Sequence, residues 1–189
     1  MNQDPSRIEE QVADASKEGG GRPPLEKWNP DFSGDIDIRI ARNGEWFYQG
    51  EKMQREALVR LFASILRREK DGEYYLVTPV EKWRIEVEDT PLIAHSPSIT
   101  GQGPSQIIEV TTNTGEVIRI GQKHPISVDT YPDSEEPRPL VYAWHGLEAR
   151  LVTTAFYHLV EYVTENPDRA PNNLGVWSDG VFFELGSQG

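Results

Sequence analysis

Thr78-Pro79-Val80-Glu81-Lys82 carries more potential chemistry than any other short stretch of this chain. Pro79 removes an amide donor and fixes φ, so a strand arriving through residues 74–77 has to bend there, and bends at strand ends present polar groups to clefts. At such a bend Lys82 would meet an anion while Glu81 orients it or accepts a ligand hydroxyl. The alternative is a surface ion pair of little energetic weight. Arg39, in a hairpin upstream, is placed to face the same anion from a second direction. Asn113 and His124 are similarly two-sided: Asn113 is a site residue or a device of its Asn-Thr-Gly turn, and His124, before Pro125, a site residue or a loop residue.

Other chemistry is scarce. The 189 residues contain no Cys, which removes disulfides, thiolate metal sites and cysteine nucleophiles together. Four His at 95, 124, 145 and 158 form no close pair and no HExxH. Gly101-Gln-Gly103 lacks the third glycine of a dinucleotide fingerprint, there is no GK[ST] phosphate loop, and no GxSxG elbow. Asp31, Ser33, Asp35 and Asp37 lack the central Gly and final Glu of a calcium loop. No catalytic residue, metal ligand or cofactor is therefore assigned, and a binding role is favoured over an enzyme.

The net charge of −12 opposes tight binding of polymeric nucleic acid. That average hides an asymmetry. Residues 39–84 hold ten basic and seven acidic side chains, whereas residues 85–189 hold five and fifteen. A locally positive region inside an acidic protein reads as a solvated helix face, or as a site for a small anion that rejects long polyanions. No apolar run approaches the roughly 18 residues of a membrane span, and the first ten residues lack the regions of a signal peptide. The expectation is a cytoplasmic protein without membrane insertion.

The elements that position these residues follow from periodicity. Residues 1–27 read as a flexible or partly helical tail, with Ser6 and Glu9 as a capping box and the glycines at 19–21 as a break. Residues 35–40 alternate strictly and lead through Asn43-Gly44, a type I′ turn signal, into a second strand at 45–48. Leu58, Leu61, Phe62, Ile65 and Leu66 form one helical stripe within 53–68. A strand at 74–77 follows Asp71-Gly72. In the second half a hairpin at 106–120, an apolar run at 140–144 and a helix over 147–165, closed by Pro167, precede Asp179-Gly180 and a strand at 181–185. The segments after the two Asp-Gly pairs echo one another, which points to duplication. Three prolines and two glycines make residues 90–105 the boundary, with an acidic, proline-rich loop at 132–139.

Trp28-Asn-Pro30, Asn43-Gly44 with Trp46 and Tyr48, Arg55 with Leu58-Val59, and above all YYLVTPVEK at 74–82 resemble a bacterial family known as domain of unknown function 1285. The likeness continues through Thr112-Asn113, His124-Pro125, Gly146-Leu147 and Gly175-Val-Trp-Ser178. It implies a duplicated α+β arrangement with a second domain that looks like a pleckstrin-homology (PH) domain, a nucleotide-like ligand between the domains and a role in signalling. No activity comes with it. Together these readings predict an α+β protein of duplicated units, each an antiparallel sheet plus a helix, at 28–95 and 96–189. The expected function is sensing of a small anionic, nucleotide-like ligand through Arg39, Arg55, Thr78, Glu81, Lys82, Asn113 and His124. The alternative is a protein–protein interaction module using the PH-like domain.

Overall fold

The computed structural model describes residues 4–17, 22–166, 168 and 173–187; the glycines at 19–21 and Pro167 lie outside the described residues. The chain forms two compact units, Met1–Pro91 with His145–Leu147, and Leu92–Trp144 with Glu148–Gly189.

The first unit opens with α1 (Pro5–Ser16). Its cap is Asp4, whose Oδ1 accepts the Ser6 amide at 3.0 Å, and Pro5 takes the first helical position, where its missing donor is harmless. The expected Ser6/Glu9 capping box gives way to this arrangement. Ile8 and Val12, four apart on one face, are 2% and 0% exposed. A six-stranded sheet follows, built from β1 (Phe32–Ile40), β2 (Trp46–Tyr48), β3 (Glu51–Lys52), β4 (Leu66–Arg68), β5 (Tyr74–Val77) and β6 (Lys82–Val87), with α2 (Glu56–Ser64) between β3 and β4. In β1, Ile36, Ile38 and Ile40 are buried while Asp35 and Asp37 are exposed, as alternation requires. The helix ends before residue 68 because the backbone there pairs across to β5, Leu66 opposite Leu76. Ile65 and Leu66 remain fully buried, so the apolar stripe is kept although its last turn is a strand.

The second unit holds β7 (Leu92–Thr100), β8 (Ile107–Thr112), β9 (Val117–Arg119), β10 (Ile126–Thr130), β11 (Pro137–Tyr142) and β12 (Glu148–Leu151), then α3 (Thr153–Val160). A small sheet of β13 (Thr164–Glu165), β14 (Asn173–Ser178) and β15 (Val181–Ser187) completes it. Two expectations are corrected here. Residues 90–105, read as a boundary loop, are largely strand β7, and Pro97 is accommodated at a register shift between His95 and Ser98. Residues 148–151, read as helix, are a strand because Leu147, Ala149 and Leu151 also fit period two and are all buried.

The architecture is mixed α+β with duplicated sheets. Strand order is β3-β2-β1-β6-β5-β4 in one and β10-β11-β12-β7-β8-β9 in the other. Each is therefore a pair of three-stranded meanders whose first and last strands, β1 with β6 and β7 with β12, lie side by side and parallel. The expectation of wholly antiparallel sheets is corrected by these two seams. The sequence echo also misled: topologically β5 matches β11, whereas the strand after Asp179-Gly180 is β15, in the third sheet.

The turns differ from expectation too. Gly44 donates its amide to the Ala41 carbonyl and Ala41 pairs with Glu45, a three-residue loop with positive φ at Gly44 and not at Asn43. Positive φ at both turn residues, the type I′ pattern, occurs at Asp179-Gly180 between paired Ser178 and Val181.

Candidate functional site

Arg55, Thr78 and Glu81 converge on α1. The Arg55 guanidinium, at the N-cap of α2, donates to both carboxylate oxygens of Glu9 at 3.0 and 3.3 Å. Thr78, fully buried at the end of β5, donates its hydroxyl to Gln11 Oε1 at 2.8 Å and accepts the Glu81 amide at 2.9 Å. Glu81 accepts from Arg7 at 2.9 Å, from Gln11 Nε2 at 3.1 Å and from the Trp83 indole at 3.3 Å. The bend at Pro79 is real, but its polar groups close on a helix of the same unit.

Lys82 belongs to a separate network. Its ammonium donates to both oxygens of Glu69 at 3.1 and 3.2 Å and lies 4.9 Å from the Tyr75 ring centre. Arg67 binds Glu69 at 2.7 Å and the carbonyls of Leu25 and Trp28 at 2.9 and 3.0 Å. Burial raises the Glu69 carboxyl, but hydrogen bonds from Arg67 and Lys82 outweigh it and the net shift is downward. Tyr75 donates to Asp71 at 2.5 Å; that bond pushes the phenol up to about 12 and draws Asp71 down.

Arg39 does not join Lys82. It stands opposite Glu86 in the β1/β6 register while Lys82 stands opposite Phe32, four residues along β6 or roughly 13 Å of strand. Arg39 is paired with Glu88 and lies 4.5 Å over the Phe47 ring. In the second unit, Asn113 Oδ1 accepts the Ile93 amide at 3.1 Å and its own amide donates to the Ile93 carbonyl at 2.9 Å, which binds the turn to β7. His124 Nδ1–H donates to the Tyr142 carbonyl at 3.1 Å. Carboxylates thus hold Arg39, Lys52, Arg55, Arg67, Lys82 and Arg84, so the excess positive charge of residues 39–84 is dispersed among local pairs.

A cavity adjoins Arg55, a predicted site residue. About 320 Å³ in volume, it is bounded by the start of α1 (Asp4, Pro5, Ser6, Glu9) and by Tyr48, Met53, Gln54, Arg55 and Leu58. That is the lower end of the size range for small-molecule sites, which pair apolar walls with a few placed polar groups. Pro5, Tyr48, Met53 and Leu58 supply the walls, and Arg55, 65% exposed, supplies the cation. The beginnings of two helices border it, where backbone dipoles favour negative charge. Asp4, spent on capping, is drawn down by the Ser6 amide. Among the described residues no group of three or more His, Asp or Glu is arranged to hold a metal ion, and no helix is long and apolar enough to cross a membrane.

Sequence reasoning missed α1 as a wall, and Tyr48 and Met53 beside it. The usable signal was Asp4-Pro5 followed by Ile8 and Val12 at helical spacing.

Sequence profiles for the N-terminal and C-terminal domains of DUF1285, a domain of unknown function, match residues 23–90 and 91–185. The chain belongs to the DUF1285 family. Among solved structures, a DUF1285 family protein from Silicibacter pomeroyi DSS-3 is 42% identical over 94% of each chain, with a TM-score of 0.82. A DUF1285 family protein from Shewanella baltica OS155 is 29% identical over 68% of this chain and 94% of its own, with a TM-score of 0.53. No curated protein matches. The N-terminal DUF1285 match begins after α1 and ends one residue before the first segment of the first unit does.

Proposed function

We propose that this DUF1285 protein is a small-ligand sensor, binding an anionic, nucleotide-like molecule in the cavity of its first unit. The observation that carries the reading is Arg55, already in two-pronged contact with a carboxylate at the mouth of a cavity walled by Tyr48, Met53 and Leu58. A guanidinium fork of this kind donates to the paired oxygens of carboxylate or phosphate, and an aromatic and a thioether wall suit a flat apolar body such as a base. The −12 net charge, with its excess in residues 85–189, disfavours DNA or RNA as the physiological anion.

Thermal shift against nucleoside mono-, cyclic and dinucleotides and inorganic phosphate tests the reading. A ligand that binds the folded state raises stability as RT ln(1 + [L]/Kd), about 2.7 kcal/mol at a hundredfold excess over Kd. The expected result is a rise with at least one nucleotide, abolished by Arg55→Gln. A flat response to every anion removes the proposal.

A second reading is favoured by α3. Tyr157 and Val160, three apart, are 60% and 41% exposed beside a cleft formed by Tyr131, Pro137, Pro139 and Phe156. In that reading the second unit acts as a PH-like interaction module, and Tyr157→Ser should abolish a partner's binding without changing stability.

A further inference from the structure

The helix that walls the cavity also fills its charged position. Both carboxylates lining the cavity, Asp4 and Glu9, come from the start of α1, and Glu9 takes the two-pronged contact with Arg55 that an anionic ligand would need. Other polar contacts of α1, Arg7 with Glu81 and Gln11 with Thr78 and Glu81, lie one turn or less away on the same helix. An anion that drives the start of α1 off Arg55 strains these contacts too, since a helix moves as a body.

Resting on the ligand reading above, we propose that α1 is a displaceable internal competitor: its Glu9 occupies the carboxylate- or phosphate-binding position on Arg55, so that a bound anion and a docked α1 exclude one another. Two anions cannot both take the Nη1–H and Nη2–H pair that Glu9 occupies, and a second carboxylate or phosphate beside Glu9 would be repelled by it. Binding is then linked to undocking of α1, which withdraws the Asp4–Glu9 side of the cavity, leaves the ligand on Tyr48, Met53, Leu58 and Arg55, and uncovers Ile8, Val12, Thr78 and Glu81, all covered or partly covered in the docked state. Linkage is reciprocal: whatever weakens docking of α1 tightens the ligand, and the ligand loosens α1.

The test uses the full chain with AMP as probe and inorganic phosphate as a second probe that lacks the base. Calorimetric titration of wild type, Glu9→Gln and Glu10→Gln, an exposed acid of the same helix outside the cavity, is combined with hydrogen exchange over residues 5–16. Glu9→Gln should bind AMP at least about fivefold tighter than wild type, with Glu10→Gln nearly unchanged. Saturating AMP should also speed amide exchange in α1 of the wild-type chain. Phosphate should show the same order of affinities, more weakly. Equal AMP affinity in wild type and Glu9→Gln, equal gains in Glu9→Gln and Glu10→Gln, or α1 amides as protected with AMP as without it, would each overturn the competition while leaving the ligand reading intact. Binding of neither probe to any of the three proteins would overturn both.

Discussion

Lys82 and Glu69 are 18% and 24% exposed as side chains, and each has partners that the solvent does not supply. The lysine is a structural cation between Glu69 and the Tyr75 ring. Lys82→Ala should therefore lower stability by about 1 to 2 kcal/mol, the range of a charged hydrogen bond discounted for partial exposure, instead of the near-zero change of a solvated lysine. Urea unfolding at neutral pH measures it; a change within about 0.3 kcal/mol would return Lys82 to the surface. Glu69 gives the pH dependence. Its folded pKa lies below the ordinary 4.5, so its contribution is fully present above that value and is lost as pH falls through the lower folded one. The stability gap between wild type and Glu69→Gln should then close on acidification from pH 7 to 3, and a gap that widens contradicts the account. The TPVEK segment was legible as a polar bend because proline and a strand end are local signals. What it faces was not, since Gln11, 67 residues from Thr78, and Arg7 carry no mark of their destination.

At the scale of elements, paired strands outcompeted helices wherever an apolar pattern fitted both periods. Leu66–Arg68 and Glu148–Leu151 bury the residues the sequence nominates, in the other secondary structure. The deciding partners, β5 for one and β11 with β7 for the other, are distant pairings that periodicity does not encode. Ser178 shows how closely the small sheet is held: its hydroxyl donates to the Ile120 carbonyl at 2.6 Å and accepts the Ile108 amide at 2.9 Å. Gly175, on the same strand, has no room for a side chain. A Cβ there would sit 2.1 Å from the Phe183 carbonyl oxygen and 2.8 Å from the Phe182 ring. Gly175→Ala should destabilise the second unit by more than about 3 kcal/mol, because the obstructing atom is backbone in a paired strand. A melting temperature within a degree or two of wild type would mean that β14 and β15 separate easily.

For the molecule as a whole, duplication was marked in the sequence by a false echo and implied by the family resemblance, and it is present in the order of two six-stranded sheets. Asp-Gly pairs mark turns, and turns recur at many places; shared topology resides in which strands neighbour which. The positive excess of residues 39–84 had a similar fate, legible as a sum and dispersed in space among carboxylates drawn from α1, β1 and the loops. What survives as a candidate site is Arg55 with its cavity. The crystal structure of the full chain with whichever nucleotide raises its melting temperature tests that claim most directly. The base should lie against Tyr48, Met53 and Leu58, with the anion on Arg55 and Glu9 displaced. A nucleotide bound elsewhere, with Glu9 still in its two-pronged contact on Arg55, would contradict it.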